Sequence, residues 1–279
     1  MTEEPEAPPL GSDLLAPDWK PPHLDIGVPT PARMYDFLLG GKDHFPVDRE
    51  AAEELLRTMP LARVFARANR DFLGRAVRGV VAEGVEQFLD IGVGLPGPGG
   101  TVETALSALP GACVVGIDND PIVLAHARAL PAEARTATIV AGDLRNPAAI
   151  LAHPEVRAVL DFDRPIAVLL VAILHFVTDD EDPRGIIDAL MGAVAPGSCL
   201  VISHGTGDFD PEGSAASAKA YEKSSARTAG RTHKEITGFF DGLDLLDPGV
   251  VTLPRWRPDA GAPASSENVW LYGGVARKP

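Results

Sequence analysis

The spacing of apolar residues changes once along this chain, near residue 85. Before that point apolar positions recur every three or four residues. Phe65, Ala68, Phe72, Ala76 and Val80 mark one face of a helix over 61–82, with Arg63, Arg67, Arg70 and Arg78 off that face as a solvated side. Two shorter helices precede it. Thr30-Pro31 supplies an N-cap and a proline at the first helical position, and Gly40-Gly41 stops the first. Asp48 is expected to cap the second, over 48–59, and Pro60 to close it.

After residue 85, compact β-rich runs at 87–91, 113–117, 138–141, 166–174 and 199–203 alternate with helical segments at 101–109, 121–130, 147–151 and 183–194. Strands alternating with helices imply right-handed crossovers and a parallel sheet covered on both faces. A long polar stretch, 208–230, then interrupts the rhythm. A capping box at Thr232 and Glu235 opens another helix, and apolar runs at 245–251 and 268–276 follow, separated by a proline-rich surface loop at 254–266.

Composition narrows this picture. The first 25 residues hold six acidic groups, one lysine and many prolines, so they read as a mobile tail (1–25) ahead of a helical cap (26–84) and an α/β core (85–279). The N-terminus lacks the basic-then-apolar pattern of a secretory signal. No apolar run reaches the ~18 residues of a membrane span. The two cysteines, Cys113 and Cys199, sit in apolar runs as small core residues, which suits a reducing cytoplasm. A net charge of −14 favours small-molecule or protein substrates over nucleic acid.

The chemistry concentrates in QFLDIGVGLPGPGG, residues 87–100. A buried strand that runs into Gly92, Gly94 and Gly97 and then into a helix lets backbone approach a nucleotide-like cofactor. These glycines match the dinucleotide fingerprint, with Asp118 about twenty residues on. Three features point away from NAD. Asp90 puts a carboxylate where an apolar residue is usual, Pro96 and Pro98 keep Gly97 out of a helix, and the chain ends in two strand-like runs.

The stretch instead resembles class I S-adenosylmethionine (SAM)-dependent methyltransferases, whose first strand ends D-x-G-x-G. More narrowly, RMYDFLLGGKDHFPVDREAA, NRDFL, QFLDIGVGLP, VGIDNDPIVLAHARAL, LLVAILHFV, PGSCLVISH and FFDGLDLLDPGVV followed by WRP resemble the actinobacterial S-adenosyl methyltransferase family, long catalogued as a domain of unknown function. Departures from the family pattern are His44, where asparagine is usual, and the Pro-Gly-rich insert after Leu95.

The resemblance implies a Rossmann-like fold with a seven-stranded, mostly parallel sheet, helices on both faces and a last antiparallel pair at one edge. It implies SAM as cofactor. Asp90, Gly92 and Gly94 would lie under its amino-acid end, Asp118 with Asn119 would hold the ribose hydroxyls, and Asp143 and Leu144 would address the adenine. It does not supply the acceptor.

Two residues are catalytic candidates. His175, after the fourth apolar run, is the best-placed general base if the acceptor arrives protonated, or else a neutral histidine satisfied by a backbone carbonyl; His204 is a weaker second choice. Tyr35 is the other. With Lys42 and Arg70 it either faces the cofactor's carboxylate or the acceptor from a lid of N-terminal helices, or belongs to a capping hairpin with surface charges. The acidic run 178–182 reads as an N-cap for a helix starting at Pro183, and no spacing suggests a metal site. Two further readings stay open: a non-catalytic SAM sensor and an NAD-dependent oxidoreductase.

Overall fold

A computed structural model describes residues 26–128, 136–221, 224–261 and 269–279. The expected tail, the end of the helix expected at 121–130 and part of the loop expected at 254–266 lie outside them.

Three helices come first: α1 (Pro31–Leu39), α2 (Pro46–Thr58) and α3 (Ala62–Ala82). The ends of α1 are set as its sequence requires. Thr30 caps it, and Gly40 takes φ 85°, a left-handed conformation that glycine adopts without a Cβ clash. The second helix begins two residues before its expected start. Pro46 occupies the first helical position, and Asp48 lies in the first turn, where its carboxylate accepts the Phe45 N–H at 2.8 Å.

The strands are β1 (Gln87–Ile91), β2 (Cys113–Asp118), β3 (Ala137–Ala141), β4 (Ile166–Val171), β5 (Cys199–Gly205), β6 (Asp244–Leu245), β7 (Val251–Thr252) and β8 (Leu271–Arg277). They form one sheet in the order β3-β2-β1-β4-β5-β8-β6, with β7 also on β8. β1 to β5 are parallel, and β8 runs antiparallel to its neighbours. The expected count of seven becomes eight. The run 245–251 does not form one strand: only its ends pair with β8, because Pro248 has no N–H for a ladder and Gly249 turns to φ 80°. β8, rather than a terminal pair, therefore fills the place between β5 and the edge.

Alternate strand residues feed two cores, as pleating requires. Leu89, Val115, Val168, Leu170 and Ile202 face one side. There they meet α6 (Pro147–Ala152), α7 (Pro154–Val159), α8 (Pro183–Ala193) and α10 (His233–Gly238). Phe88, Val114, Leu169 and Val201 face the other side, covered by α3 and by α4 (Thr101–Ala108). α5 (Pro121–Arg128) packs near Val93 and Ile139 through Ile122 and Val123.

Two expectations change here. β4 ends at Val171 rather than 174: Ala172 takes φ 55°, and Leu174–Phe176 make a 3-10 turn, so His175 stands on a turn beyond the strand. The polar stretch 208–230 contains a helix, α9 (Pro211–Tyr221), which packs on α2. Its buried face consists of Ser217 and Ala220, too weakly apolar to leave a helical period in the sequence, although alanine favours helix intrinsically. Among the described residues no helix is long and apolar enough to cross a membrane.

Candidate active site

The C-terminal ends of β1 to β5 open into a cavity of about 1190 Å³, roofed by α1, α2, the first half of α3, and α9. Ligands of open α/β sheets bind at this edge, because the loops that follow the strands converge there.

Three carboxylates stand on the strand side. Asp90 is buried in β1 and accepts the Thr101 hydroxyl at 2.5 Å. Burial pushes its carboxyl up to about 6 against the Thr101 bond and the Arg70 charge, and Asp118 adds a smaller upward push. Asp118 ends β2, buried, and burial likewise raises it to about 6. Its two oxygens each accept one backbone N–H, from Gly94 at 2.9 Å and Asp120 at 2.9 Å. A carboxylate has about four lone-pair positions, so Asp118 keeps capacity for further donors. Asp143 is half-exposed after β3. Burial works to raise it, but hydrogen bonds from the Arg145 side chain and backbone hold its carboxyl below the usual range.

The glycine loop fits close approach. Gly92 takes φ 81°, and a Cβ there would lie 2.8 Å from Ile173 Cδ1; Gly94 takes φ 68° with open space beside it. Arg70 reaches from α3 alongside Gly99 and Gly100, and its buried Nε has no hydrogen-bond partner.

His175 lines the cavity from the turn after β4, with Nδ1 enclosed and unpartnered. Burial, and then the Arg231 charge, push its imidazolium down to about 4, so the ring is neutral at pH 7. His204 lies outside the lining. Its Nδ1–H donates to Gly205 O at 2.6 Å and its Nε2 accepts from Arg231 at 3.0 Å, which leaves no free nitrogen. Tyr35 lines the cavity with its hydroxyl already engaged. It donates to Ala66 O at 2.9 Å and accepts from Asn69 at 2.9 Å. Lys42 is exposed and outside the lining. The structure thus brings together Asp90, Gly92, Gly94, Asp118, Asn119, Asp143, Leu144, Arg70, Tyr35 and His175, and leaves Lys42 apart.

Several residues of the site gave no signal in sequence. Buried Arg231 donates to Leu174 O, Val177 O, Asp179 and His204 and so holds the turn that carries His175. Arg33 is buried with Asp48 and Asp120, and Thr30 donates to Asp120 at 2.5 Å, which ties α1 to the loop after β2. Ser203 donates to Asn69 at 2.5 Å and so links β5 to α3. All of these join segments far apart in the chain. The capping box at Thr232 is legible, but nothing in it marks the preceding arginine as buried.

SAM carries an adenine, a ribose, a carboxylate, an ammonium and a sulfonium, and the residues present suit it. Asp118 has acceptor capacity for ribose hydroxyls, Asp90 suits the ammonium, and unpartnered Arg70 suits the carboxylate. A pyrophosphate would instead meet Asp90 and Asp118.

An open sheet in this order, with carboxylates at or just beyond the ends of its first three strands around a glycine loop, defines a class I SAM-dependent methyltransferase. A family model described as S-adenosyl methyltransferase matches residues 17–279. The chain belongs to that family, and SAM is its cofactor. Neither the sensor nor the oxidoreductase reading is favoured.

Two solved structures support the same placement. A DUF574-family protein from Streptomyces avermitilis is 41% identical with a TM-score of 0.86, over 91% of this chain and 99% of that one. A protein described as a putative methyltransferase from Thermobifida fusca is 39% identical with a TM-score of 0.86, over 94% and 99%. The plantazolicin methyltransferase BpumL, solved with S-adenosylhomocysteine, shares the fold at 16% identity and a TM-score of 0.51, over 89% and 95%. A comparison with curated proteins finds no match.

Proposed function

We propose that the enzyme methylates a small molecule in the cytoplasm, with Asp90, Gly92, Gly94, Asp118, Asn119, Asp143, Leu144 and Arg70 holding the cofactor and His175 accepting the acceptor's proton. The observation that carries this is one cavity bordered by carboxylates at or just beyond the ends of β1, β2 and β3 and by a neutral histidine on the turn after β4. The overall acidity and the two free thiols support a small-molecule acceptor and a reducing compartment.

Bound SAM supplies an electrophilic methyl group on a positively charged sulfur. The protein's part is mainly positional, since holding reactants in line is worth effective molarities of about 10⁵–10⁸ M. Asp118 accepts from the ribose hydroxyls and Asp90 faces the ammonium. Arg70 pairs with the carboxylate, while α1 and α2 roof the site and exclude water. The His175 imidazole, neutral above about pH 4, takes the proton that the nucleophile releases. Tyr35, its hydroxyl engaged, serves as wall rather than proton carrier, and Lys42 takes no role.

Thermal unfolding with SAM, S-adenosylhomocysteine and NAD in parallel tests the site. A ligand at 100 times its Kd adds about 2.7 kcal/mol. SAM and S-adenosylhomocysteine are expected to stabilise the protein and NAD not to. Asp118→Ala is expected to remove the effect, because two charge-assisted hydrogen bonds contribute roughly 1.5–3 kcal/mol each. Stabilisation by NAD alone, or an Asp118→Ala variant that binds SAM normally, would overturn the assignment.

A further inference from the structure

The cavity is larger than one ligand needs. Pockets for a single small molecule run to about 300–1,000 Å³, and this one measures about 1190 Å³. The strand-end carboxylates account for one part of it. The remainder is walled by Leu38, Leu55, Phe65, Ala218 and Tyr221, drawn from α1, α2, α3 and α9, and by Met59 just after α2.

We propose that this helical part of the cavity is the acceptor site and that it takes an uncharged aromatic molecule bearing a hydroxyl, which is methylated at oxygen. This rests on the functional reading above and gives its acceptor a chemical class.

The charge arrangement excludes an ionic acceptor. Arg33 is engaged by Asp48 and Asp120, and Arg231 by Asp179 and three further acceptors. Arg145 and Asp208 line the cavity but are exposed, at its rim. Among the described lining residues, the buried side-chain atoms without a partner are Arg70 Nε and His175 Nδ1. Arg70 is the group suited to the cofactor's carboxylate, so an acidic acceptor would compete for it. A cationic acceptor would meet a sulfonium and Arg231 with no free carboxylate on the helical side.

Aromatic shape follows from the walls. Phe65 lies 5.5 Å from Trp270, and Phe176 lies 5.3 Å from Tyr221 and 4.3 Å from His175, centroid to centroid. These paired rings all line the cavity, and the faces and edges they turn to it suit a flat aromatic ring. A hydroxyl suits His175, the one imidazole among the described lining residues. In the step, the acceptor oxygen forms a bond to the methyl carbon while the carbon–sulfur bond breaks and leaves its electron pair on sulfur. The hydroxyl proton passes to the His175 imidazole. A neutral base is sufficient, because the proton becomes strongly acidic as the oxygen gains its methyl group.

The experiment uses the full chain saturated with S-adenosylhomocysteine, and three probes of one shape: 2-naphthol, 2-naphthoate and 2-naphthylmethylammonium. Calorimetry is expected to show 2-naphthol binding at least tenfold more tightly than either charged probe. Ala218→Trp, which fills the helical part, is expected to weaken naphthol binding tenfold or more while the stabilisation by S-adenosylhomocysteine persists. Equal binding of all three probes to the unaltered protein, or tighter binding of a charged one, would overturn the proposal even if the variant failed to fold. So would a folded variant that binds naphthol normally. Loss of the S-adenosylhomocysteine effect in the unaltered protein would sink the functional reading itself, which is a separate result.

Discussion

The strand-end wall of the cavity and its helical wall differ in chemistry and in how they are held. On the strand side Asp90, Asp118 and Asp143 keep carboxylate capacity facing the cavity, two of them with carboxyls raised to about 6 by burial. On the helical side Arg70 keeps an unpartnered Nε, while the other polar groups are engaged: Tyr35 with Ala66 and Asn69, Asn69 with Ser203, and Arg33 with Asp48 and Asp120. One wall holds unspent hydrogen-bonding capacity for a polar ligand. The other, Arg70 aside, uses these polar groups to fasten helices and leaves apolar surface to the cavity. The two walls suit the proposed pairing of a polar cofactor with an apolar acceptor at one point.

The largest effect is expected where the two walls are tied together. Arg33→Met leaves Asp48 and Asp120 buried without their cation, and breaking such a pair is worth about 3–5 kcal/mol. Urea unfolding should show that loss, with cofactor affinity falling too because Asp120 N–H positions Asp118. A variant as stable as the parent would mean the helices rest on the core without this tie.

A pH change separates the walls. Asp90 and Asp118 have folded values of about 6 against 3.8 in ordinary surroundings, so the ligand-free protein draws stability from them at low pH and loses it as pH rises through about 6. In the proposed site cofactor binding uses them ionised and so runs the other way. Its affinity should weaken below about pH 6, by roughly 1.4 kcal/mol per unit for each group. The thermal shift produced by S-adenosylhomocysteine should therefore shrink between pH 7 and pH 5. An unchanged shift would mean that neither carboxylate holds the cofactor.

The smallest effect belongs to the helical wall. Tyr35→Phe removes a hydroxyl that bridges α1 and α3 and should lower stability by about 1 kcal/mol with kcat nearly unchanged. A collapse of kcat at unchanged stability would make Tyr35 catalytic and erase the distinction between the walls.

The two walls also differed in how far the sequence disclosed them. Asp90, Gly92, Gly94 and Asp118 were visible because strand-then-glycine with an acid about twenty residues on is a local pattern, and Asp143 came with the family resemblance. Arg231, Asn69 and Ser203 were not visible, because each acts on a group more than 25 residues away. Lys42 misled for a related reason. A charge after a helix stop marks a turn, but the direction in which the turn points depends on what packs beneath it. α9 escaped notice because a face of alanine and serine has almost no hydrophobic period.

Taken alone, the sequence determined most of the order of elements and the parallel sheet, which follow from periodicity, while the cofactor class and the roles of the carboxylates came with the family resemblance that its short motifs carry. Tertiary structure decided the rest. It broke the run at 245–251 into two short strands on β8, set His175 on a turn held by Arg231, and folded α1, α2 and α9 into one wall. Those outcomes depend on burial and on hydrogen bonds between distant segments, which no local window contains.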